Sequence, residues 1–175
     1  MEQKLSVAAP LFQLGFKEKA GKNRLSSEEI ALSEILLEVM ASDASPLFRR
    51  LLDDGLINES SFGNEYFEGP GYAAVIFSGE SKDPDRVAEE IIKEAERLRR
   101  EGIAPDAFER ARKAVYGRNV AALNSVDNIA NSMAAFSFAG RELFSYIDAV
   151  ANATREAVQK RLETQMLPQL SLIHI

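Results

Sequence analysis

The chain has 175 residues, 46% of them hydrophobic and 27% charged, which is typical of a globular domain with a substantial core. It contains no Cys, and this excludes disulfides, thiolate nucleophiles and Cys-ligated metal centres. The formal net charge of -6 argues against a nucleic-acid partner, because phosphate binding needs a positive surface. There is no apolar run of about 18 residues or more and no signal-peptide pattern at the start. We therefore expect a cytoplasmic protein without a membrane partner.

A half-buried strand and an amphipathic helix are predicted first. Phe12, Leu14 and Phe16 alternate with other residues over residues 10–18, and this period of two is that of a strand with one buried face. Ser26 and Glu29 have the spacing of a capping box, in which each side chain bonds the backbone of the other. The helix that they begin has apolar residues at helical spacing: Leu32, Ile35, Leu36, Val39 and Met40.

A short helix and a β-hairpin follow. Ser45 and Pro46 are typical of a helix start, and Gly55 can end that helix because glycine adopts the left-handed conformation at low cost. Residues 56–67 and the segment YAAVIFSG are predicted as two strands, the second because it is rich in β-branched and aromatic residues. Residues 68–71 are the predicted connection between the two strands.

Helices dominate the second half of the chain. Pro84 begins a long helix that Gly102 ends, and Pro105 begins the next. A third helix is predicted over about residues 125–140. Three of its residues are predicted to face the core: Ile129, Met133 and Phe136.

The last segment is predicted as two shorter helices and a strand. One helix lies near residues 145–151, Thr154 caps the next, and LSLIHI has the composition of a strand. A group of aromatic residues lies near these helices and is more typical of core than of a pocket: Phe136, Phe138, Phe144 and Tyr146.

The order of elements indicates the fold class. Strands mixed with long helices, without a repeating strand–helix alternation, predict an α+β fold in which an antiparallel sheet is packed against several helices. No internal repeat of about 20–50 residues and no low-complexity linker divides the chain. We expect one α+β domain over residues 9–175, with residues 1–8 as a leading or linking segment.

Catalytic and metal-binding residues are not evident in the sequence. The only His is His174, which has no carboxylate or second His at ligand spacing. A Ser-His-Asp triad would depend on that same His, and no G-x-S-x-G motif is present. The acidic run between Glu89 and Glu101 has the spacing of ion pairs on an exposed helix. We predict no catalytic residue and no metal ligand in this chain.

Two segments are candidates for substrate binding. Arg49 and Arg50 lie on the short helix, where a guanidinium could bind a peptide carbonyl or carboxylate, although ordinary surface arginines explain them equally well. The predicted strand that follows could present an edge to an extended peptide, and a solvent-facing side is an equal explanation. Its polar side chains and its tyrosine are Asn58, Ser60, Asn64, Glu65 and Tyr66.

An ordered series of segments resembles a known family. The series is PLFQLGFKEK, ASPLFRRLLDDGLINESSFGNEYF, GYAAVIFSG and APDAFERARKAVYGRNVAALNSVDNIAN. Together these segments resemble the C-terminal half of insulinase-type, or pitrilysin-like, zinc peptidases, and within that family a bacterial YfmH-type subgroup. The similarity spans about residues 9 to 172.

The resemblance implies an enzyme of two homologous α+β halves that close around a peptide. Zinc would be held only in the N-terminal half, by an inverted H-x-x-E-H motif and a downstream Glu, and this chain lacks that motif. In relatives the C-terminal half supplies an Arg and a Tyr that steady the substrate. The matching segment here has Asn58 at the place of that Tyr. Arg50, beside Arg49, is the nearest candidate for the Arg, and Tyr66 is a distant substitute for the phenol.

Two functions follow from this resemblance. The first is the C-terminal, non-zinc-binding half of a zinc-dependent peptidase, forming part of its substrate chamber. The alternative is a non-catalytic peptide-binding or assembly module from an inactive homologue. The chain alone is not expected to be an enzyme. The expected partners are an N-terminal half or homologous subunit and a peptide substrate, and an isolated domain could form a homodimer through its sheet edges or an exposed apolar face.

Overall fold

The computed structural model describes residues 10–18, 24–69, 71–168 and 171–174. Residues 1–8, expected to precede the domain, lie outside these ranges. The elements in chain order are β1 Leu11–Lys17, α1 Ser27–Ala41, α2 Pro46–Asp53, β2 Gly63–Gly69, β3 Tyr72–Glu80, α3 Pro84–Glu101, α4 Pro105–Ala122, α5 Val126–Phe138, α6 Leu143–Asn152, α7 Arg155–Thr164 and β4 Ser171–His174. None of the helices in the described part of the chain is long and apolar enough to cross a membrane.

The four strands form one antiparallel sheet in the order β2-β3-β1-β4. Leu14 lies opposite Phe77 and Phe16 opposite Val75, and all four side chains are buried. One face of the sheet therefore carries the helices, as an α+β fold requires. The prediction of an antiparallel sheet packed against several helices is confirmed. The closing strand is also confirmed, since His174 pairs with Gln13.

The capping residues that the sequence predicts lie at the ends of α1 and α2. The Ser26 hydroxyl accepts a hydrogen bond from the Glu29 N–H, and the Glu29 carboxylate accepts one from the Ser26 N–H, so the capping box of α1 is present. The Ser45 hydroxyl caps α2 in the same way. Gly55 has a φ of 60° directly after α2, in the region where a residue with a Cβ is strained.

The strand predicted over residues 56–67 begins later, at Gly63. Asn58 and Ser60 were assigned to that strand, and this assignment is wrong. The Asn58 carboxamide oxygen accepts hydrogen bonds from the Ser60 N–H and hydroxyl, while its backbone carbonyl accepts from the N–H groups of Ser61 and Phe62. This local bonding fixes a turn, because it offers the backbone an alternative to strand pairing. Strand β2 also extends to Gly69, beyond its predicted end at residue 67.

Helix α1 is the centre of the core. Ten of its residues are buried, including Ile35, Leu36 and Met40. It packs against β2 on one side and against α4, α6 and α7 on the others. A helix that is apolar around most of its circumference belongs in the interior of a domain, so α1 organises the layer that covers the sheet.

Helix α5 lies on the outside of this layer, contrary to the prediction for its apolar residues. It has no buried residue, and Met133 is 49% exposed. Among the aromatic residues predicted to be core, Tyr146 is buried and Phe136 packs against it at 5.1 Å between ring centroids, whereas Phe138 and Phe144 are exposed. Helical spacing identifies an apolar side, but it does not determine whether another element covers that side.

Candidate functional site

A polar cavity of about 440 Å³ lies beside the edge strand β2. Helix α1 contributes Glu34 and Glu38 to its lining, α4 contributes Arg118, and Arg141 follows α5. Pockets of this size are typical of small-molecule and side-chain binding. The cavity therefore brings charged groups from four parts of the chain to one edge of the sheet.

The alternation of β2 directs three of its side chains into the cavity. Tyr66 pairs with Val75 and Asn64 with Phe77, whose side chains are buried under the helices. Because side chains directly opposite in a sheet share a face, Asn64, Tyr66 and Glu68 all face the helical layer. All three line the cavity.

The two arginines of the cavity are already paired with carboxylates. Arg118 lies 2.8 Å from Glu38. Arg141 forms an ion pair with Glu68, and its guanidinium also lies 5.7 Å from the centre of the Phe136 ring. Arg141 donates a further hydrogen bond of 2.8 Å to the Leu25 carbonyl. These contacts leave the cavity with an excess of negative charge.

Glu34 is the cavity carboxylate with the most unusual environment. It accepts a hydrogen bond from the Tyr146 hydroxyl and has no ion pair among the described residues. Burial raises the pKa of Glu34, while the Tyr146 hydrogen bond and the charge of Arg118 act against that shift. Burial, together with Glu34, also raises the pKa of Tyr146, so this phenol stays protonated and remains a donor.

Tyr66 lines the same cavity, but its hydroxyl is enclosed within the protein. Its hydroxyl is buried and has no hydrogen-bond partner among the described residues. Burial raises the pKa of Tyr66, the charge of Glu18 adds to the effect, and Arg161 opposes it. The phenol is therefore protonated at neutral pH.

The other candidate binding residues lie elsewhere. Arg50 donates a hydrogen bond of 2.9 Å to Glu94 on α3, and Glu90 lies 3.9 Å away. Arg49 is exposed on α2, and Asn58 belongs to the turn before β2. Of the four predicted residues, the structure places only Tyr66 in the cavity.

Glu34, Arg118 and Arg141 were not predicted. A signal for Glu34 was present in the sequence, because Glu34 and Glu38 are the only charged residues between 30 and 41. Two acidic residues four apart on an otherwise apolar helix mark a polar site on it. Arg118 and Arg141 gave no comparable signal, since they approach the cavity only through tertiary packing.

The donors of the cavity do not suit zinc. In the ranges that the structure describes, no group of three or more His, Cys, Asp or Glu side chains could hold a metal ion. The cavity carboxylates Glu34, Glu38 and Glu68 are engaged by Tyr146, Arg118 and Arg141 respectively. Zinc sites in proteins use imidazole or thiolate ligands, alone or with carboxylates, and the cavity has neither.

The chain folds as an α+β domain, and its described residues contain no cluster of metal ligands. A candidate M16-like peptidase from Alicyclobacillus acidocaldarius has this fold with a TM-score of 0.85 and 26% identity, over 99% of this chain and 42% of that one. The inactive peptidase domain of a candidate zinc protease from Bordetella parapertussis aligns with a TM-score of 0.79 and 13% identity, over 98% of this chain and 91% of that one, which shows the fold.

The chain belongs to the family described as the peptidase M16 inactive domain, whose model matches residues 4–115. It is 32% identical over 174 residues to the uncharacterized zinc protease YmfH of Bacillus subtilis, covering 94% of this chain and 39% of that protein. The chain thus spans about two fifths of this relative. The predicted assignment, the C-terminal non-zinc-binding half of an insulinase-type peptidase, is confirmed, although the relative is named YmfH and not YfmH.

Proposed function

We propose that this domain forms one wall of the substrate chamber of a two-half zinc peptidase. Zinc would be held by a separate N-terminal half or a homologous subunit, and it would supply Lewis-acid activation of water there. Two findings support the proposal: the relative named as a zinc protease is much longer than this chain, and the donors of the cavity do not suit zinc. A cytoplasmic location stays a prediction.

The uncovered face of the sheet is the observation that carries this proposal. Leu11, Phe67 and Tyr72 lie on the face opposite the helices and are 55%, 47% and 54% exposed. The rings of Phe67 and Tyr72 lie 5.7 Å apart. Leu11 lies at the other end of the sheet, opposite Glu80, whereas Phe67 and Tyr72 form an exposed apolar group of the kind that contacts another polypeptide.

The chain's own residues can bind and orient a peptide. Tyr66 lines the cavity beside the β2 edge, and the open sheet face offers apolar contacts. We propose Tyr66 as the principal substrate contact of the four predicted residues. Arg49, Arg50 and Asn58 remain predictions, and the geometry of Arg50 gives it a competing structural role that is tested below.

A second candidate function is supported by the same geometry. Asn58 occupies the place where the resemblance leads us to expect a tyrosine, and its side chain is engaged in a turn. Arg50, the nearest candidate for the auxiliary arginine, is bonded to Glu94. Without these two auxiliary groups, the domain would hold a polypeptide in the same chamber and contribute nothing to its cleavage.

Changing one open-face residue tests the chamber proposal. In the two-half protein we expect Phe67→Glu to lower kcat/KM for a peptide about tenfold, equivalent to about 1.4 kcal/mol, because a charge would replace an apolar substrate contact. Phe144→Glu is the matched control, since Phe144 is equally exposed but lies on α6. We expect it to change kcat/KM less than about twofold.

The outcomes separate the two candidate functions. Equal effects of both substitutions, or none from Phe67→Glu, would contradict the chamber wall. A two-half protein that binds peptide without cleaving it would instead identify the non-catalytic module.

A further inference from the structure

The outer edge of β2 has free backbone groups in a defined pattern. The Glu18 N–H donates a hydrogen bond of 2.8 Å to the Ala73 carbonyl. In an antiparallel pair every second residue bonds to the same neighbouring strand, so the backbone groups of Ala73 and of every second residue after it in β3 bond to β1. The intervening residues of β3 must then bond to β2, at Gly63, Glu65, Phe67 and Gly69. The N–H and C=O groups of Asn64, Tyr66 and Glu68 consequently point away from the sheet, where no described strand lies.

These same three residues line the cavity with their side chains. A strand added antiparallel to β2 would pair its backbone with Asn64, Tyr66 and Glu68. Directly paired residues of two strands place their side chains on the same face of the sheet. Each residue of the added strand that bonds to this edge would therefore direct its side chain towards the cavity, while its neighbours would face the open side.

The charge of the cavity selects the side chain that enters it. Three carboxylates, those of Glu34, Glu38 and Glu68, and two guanidinium groups line the cavity, and both guanidinium groups are paired. Of these carboxylates, Glu34 alone has no ion pair among the described residues. A cationic side chain would be favoured here by the unpaired Glu34 carboxylate, and an acidic one would be repelled.

We propose that the β2 edge and this cavity bind an extended polypeptide as an added strand, with a Lys or Arg side chain of that polypeptide seated beside Glu34. The idea deepens the proposed function and rests on it, because it names the substrate class: extended segments that carry a basic residue. Main-chain hydrogen bonds would hold such a segment whatever its sequence, and the cavity would set its register.

Matched peptides test the selection by charge. The probe is a short fluorescent peptide of alternating Thr and Val with one central Lys, and its partner has norleucine in place of that Lys. By fluorescence anisotropy on the full chain, we expect the Lys peptide to bind about tenfold more tightly. Glu34→Gln should reduce the difference to less than about twofold, and it keeps an acceptor for Tyr146. Glu163→Gln, an exposed change on α7 outside the cavity, should leave the difference intact.

N-methylated peptides test the edge itself. Methylation of the alternate amides that would bond to β2 should abolish binding, whereas methylation of the other set should leave it within about twofold. Equal loss from both sets, or equal affinity for the Lys and norleucine peptides, would overturn the proposal. So would a dimer, seen by light scattering, that saturating peptide does not dissociate, because a second copy would then occupy the edge.

Failure of this inference is distinguishable from failure of the proposed function. The binding measurements use this chain alone and need neither zinc nor cleavage. If the two-half protein cleaves peptides but the Lys preference is absent, only the basic-residue site is lost. If the preference is present but the two-half protein does not cleave, the site stands and the peptidase role is lost.

Discussion

We expect Arg161→Ala to lower the free energy of unfolding by about 3–5 kcal/mol, the range found when one partner of a buried ion pair is removed. Arg161 on α7 forms an ion pair with Glu18 at the end of β1, and both side chains are only 6% exposed. Its Nε atom also donates to the Ser33 hydroxyl on α1 at 2.9 Å. The substitution would leave the Glu18 carboxylate buried without a cation, while the sheet, α1 and α7 would lose their common contact.

Arg155→Ala is the control for this prediction. Arg155 lies on the same helix and pairs with Glu156, but both side chains are exposed. Exposed ion pairs contribute little, so the change should stay within about 0.5 kcal/mol. Urea denaturation monitored by circular dichroism measures both variants. A loss below about 1 kcal/mol for Arg161→Ala would mean that the pair does not hold the elements together.

The second large effect concerns Glu94, which is 2% exposed on α3. Arg97 approaches one of its carboxylate oxygens at 2.8 Å, and Arg50 approaches the other at 2.9 Å. We expect Arg50→Ala alone to cost about 1–2 kcal/mol, since Arg97 remains, and the double variant Arg50→Ala/Arg97→Ala to cost about 3–5 kcal/mol. Lys93→Ala on the same helix is the control: this side chain is exposed, and its removal should leave the urea midpoint close to that of the wild type.

This series also decides the role of Arg50. A purely structural role predicts that Arg50→Ala in the two-half protein lowers stability without a separate effect on turnover. The substrate role expected from the sequence predicts that turnover falls more than stability does. Unchanged kinetics would remove Arg50 from the site.

The Glu94 contribution should depend on pH with a definite sign. Burial raises the pKa of Glu94, but hydrogen bonds from Arg97 and Arg50 outweigh burial and hold that pKa below its usual value. A carboxyl with a lowered folded pKa adds stability above its unfolded pKa of about 4.3 and loses it as pH falls through the folded value. In the double variant burial alone acts and raises the pKa of Glu94, so the stability difference from the wild type should be largest near neutral pH and shrink as the pH falls towards and below about 4.3. A constant difference would contradict this assignment.

The sequence predicts those features that depend on neighbouring residues. The capping box of Ser26 and Glu29, the alternation in β1 and the helix end at Gly55 all act over a few residues, and the structure contains each of them. The turn at Asn58 is also local, but its polar composition fits a strand side equally well. The hydrogen bonds of its side chain decide between the two.

The site depends on contacts between distant segments, and this limits what the sequence could predict. Arg141 reaches Glu68 and Leu25 from more than 70 residues away. The exposure of Met133 likewise depends on which elements happen to cover α5. Tyr66 was identified as a candidate from the polarity of its strand, but its buried hydroxyl could be recognised only after the cavity was formed.

Metal content and peptidase activity, measured together, test the central claim most directly. We expect this chain alone to bind no stoichiometric zinc and to cleave no peptide. The protein that joins it to its N-terminal half is expected to contain one zinc ion and to cleave peptides in an EDTA-sensitive manner. Stoichiometric zinc with EDTA-sensitive cleavage by this chain alone would contradict the assignment of this domain as the non-zinc-binding half.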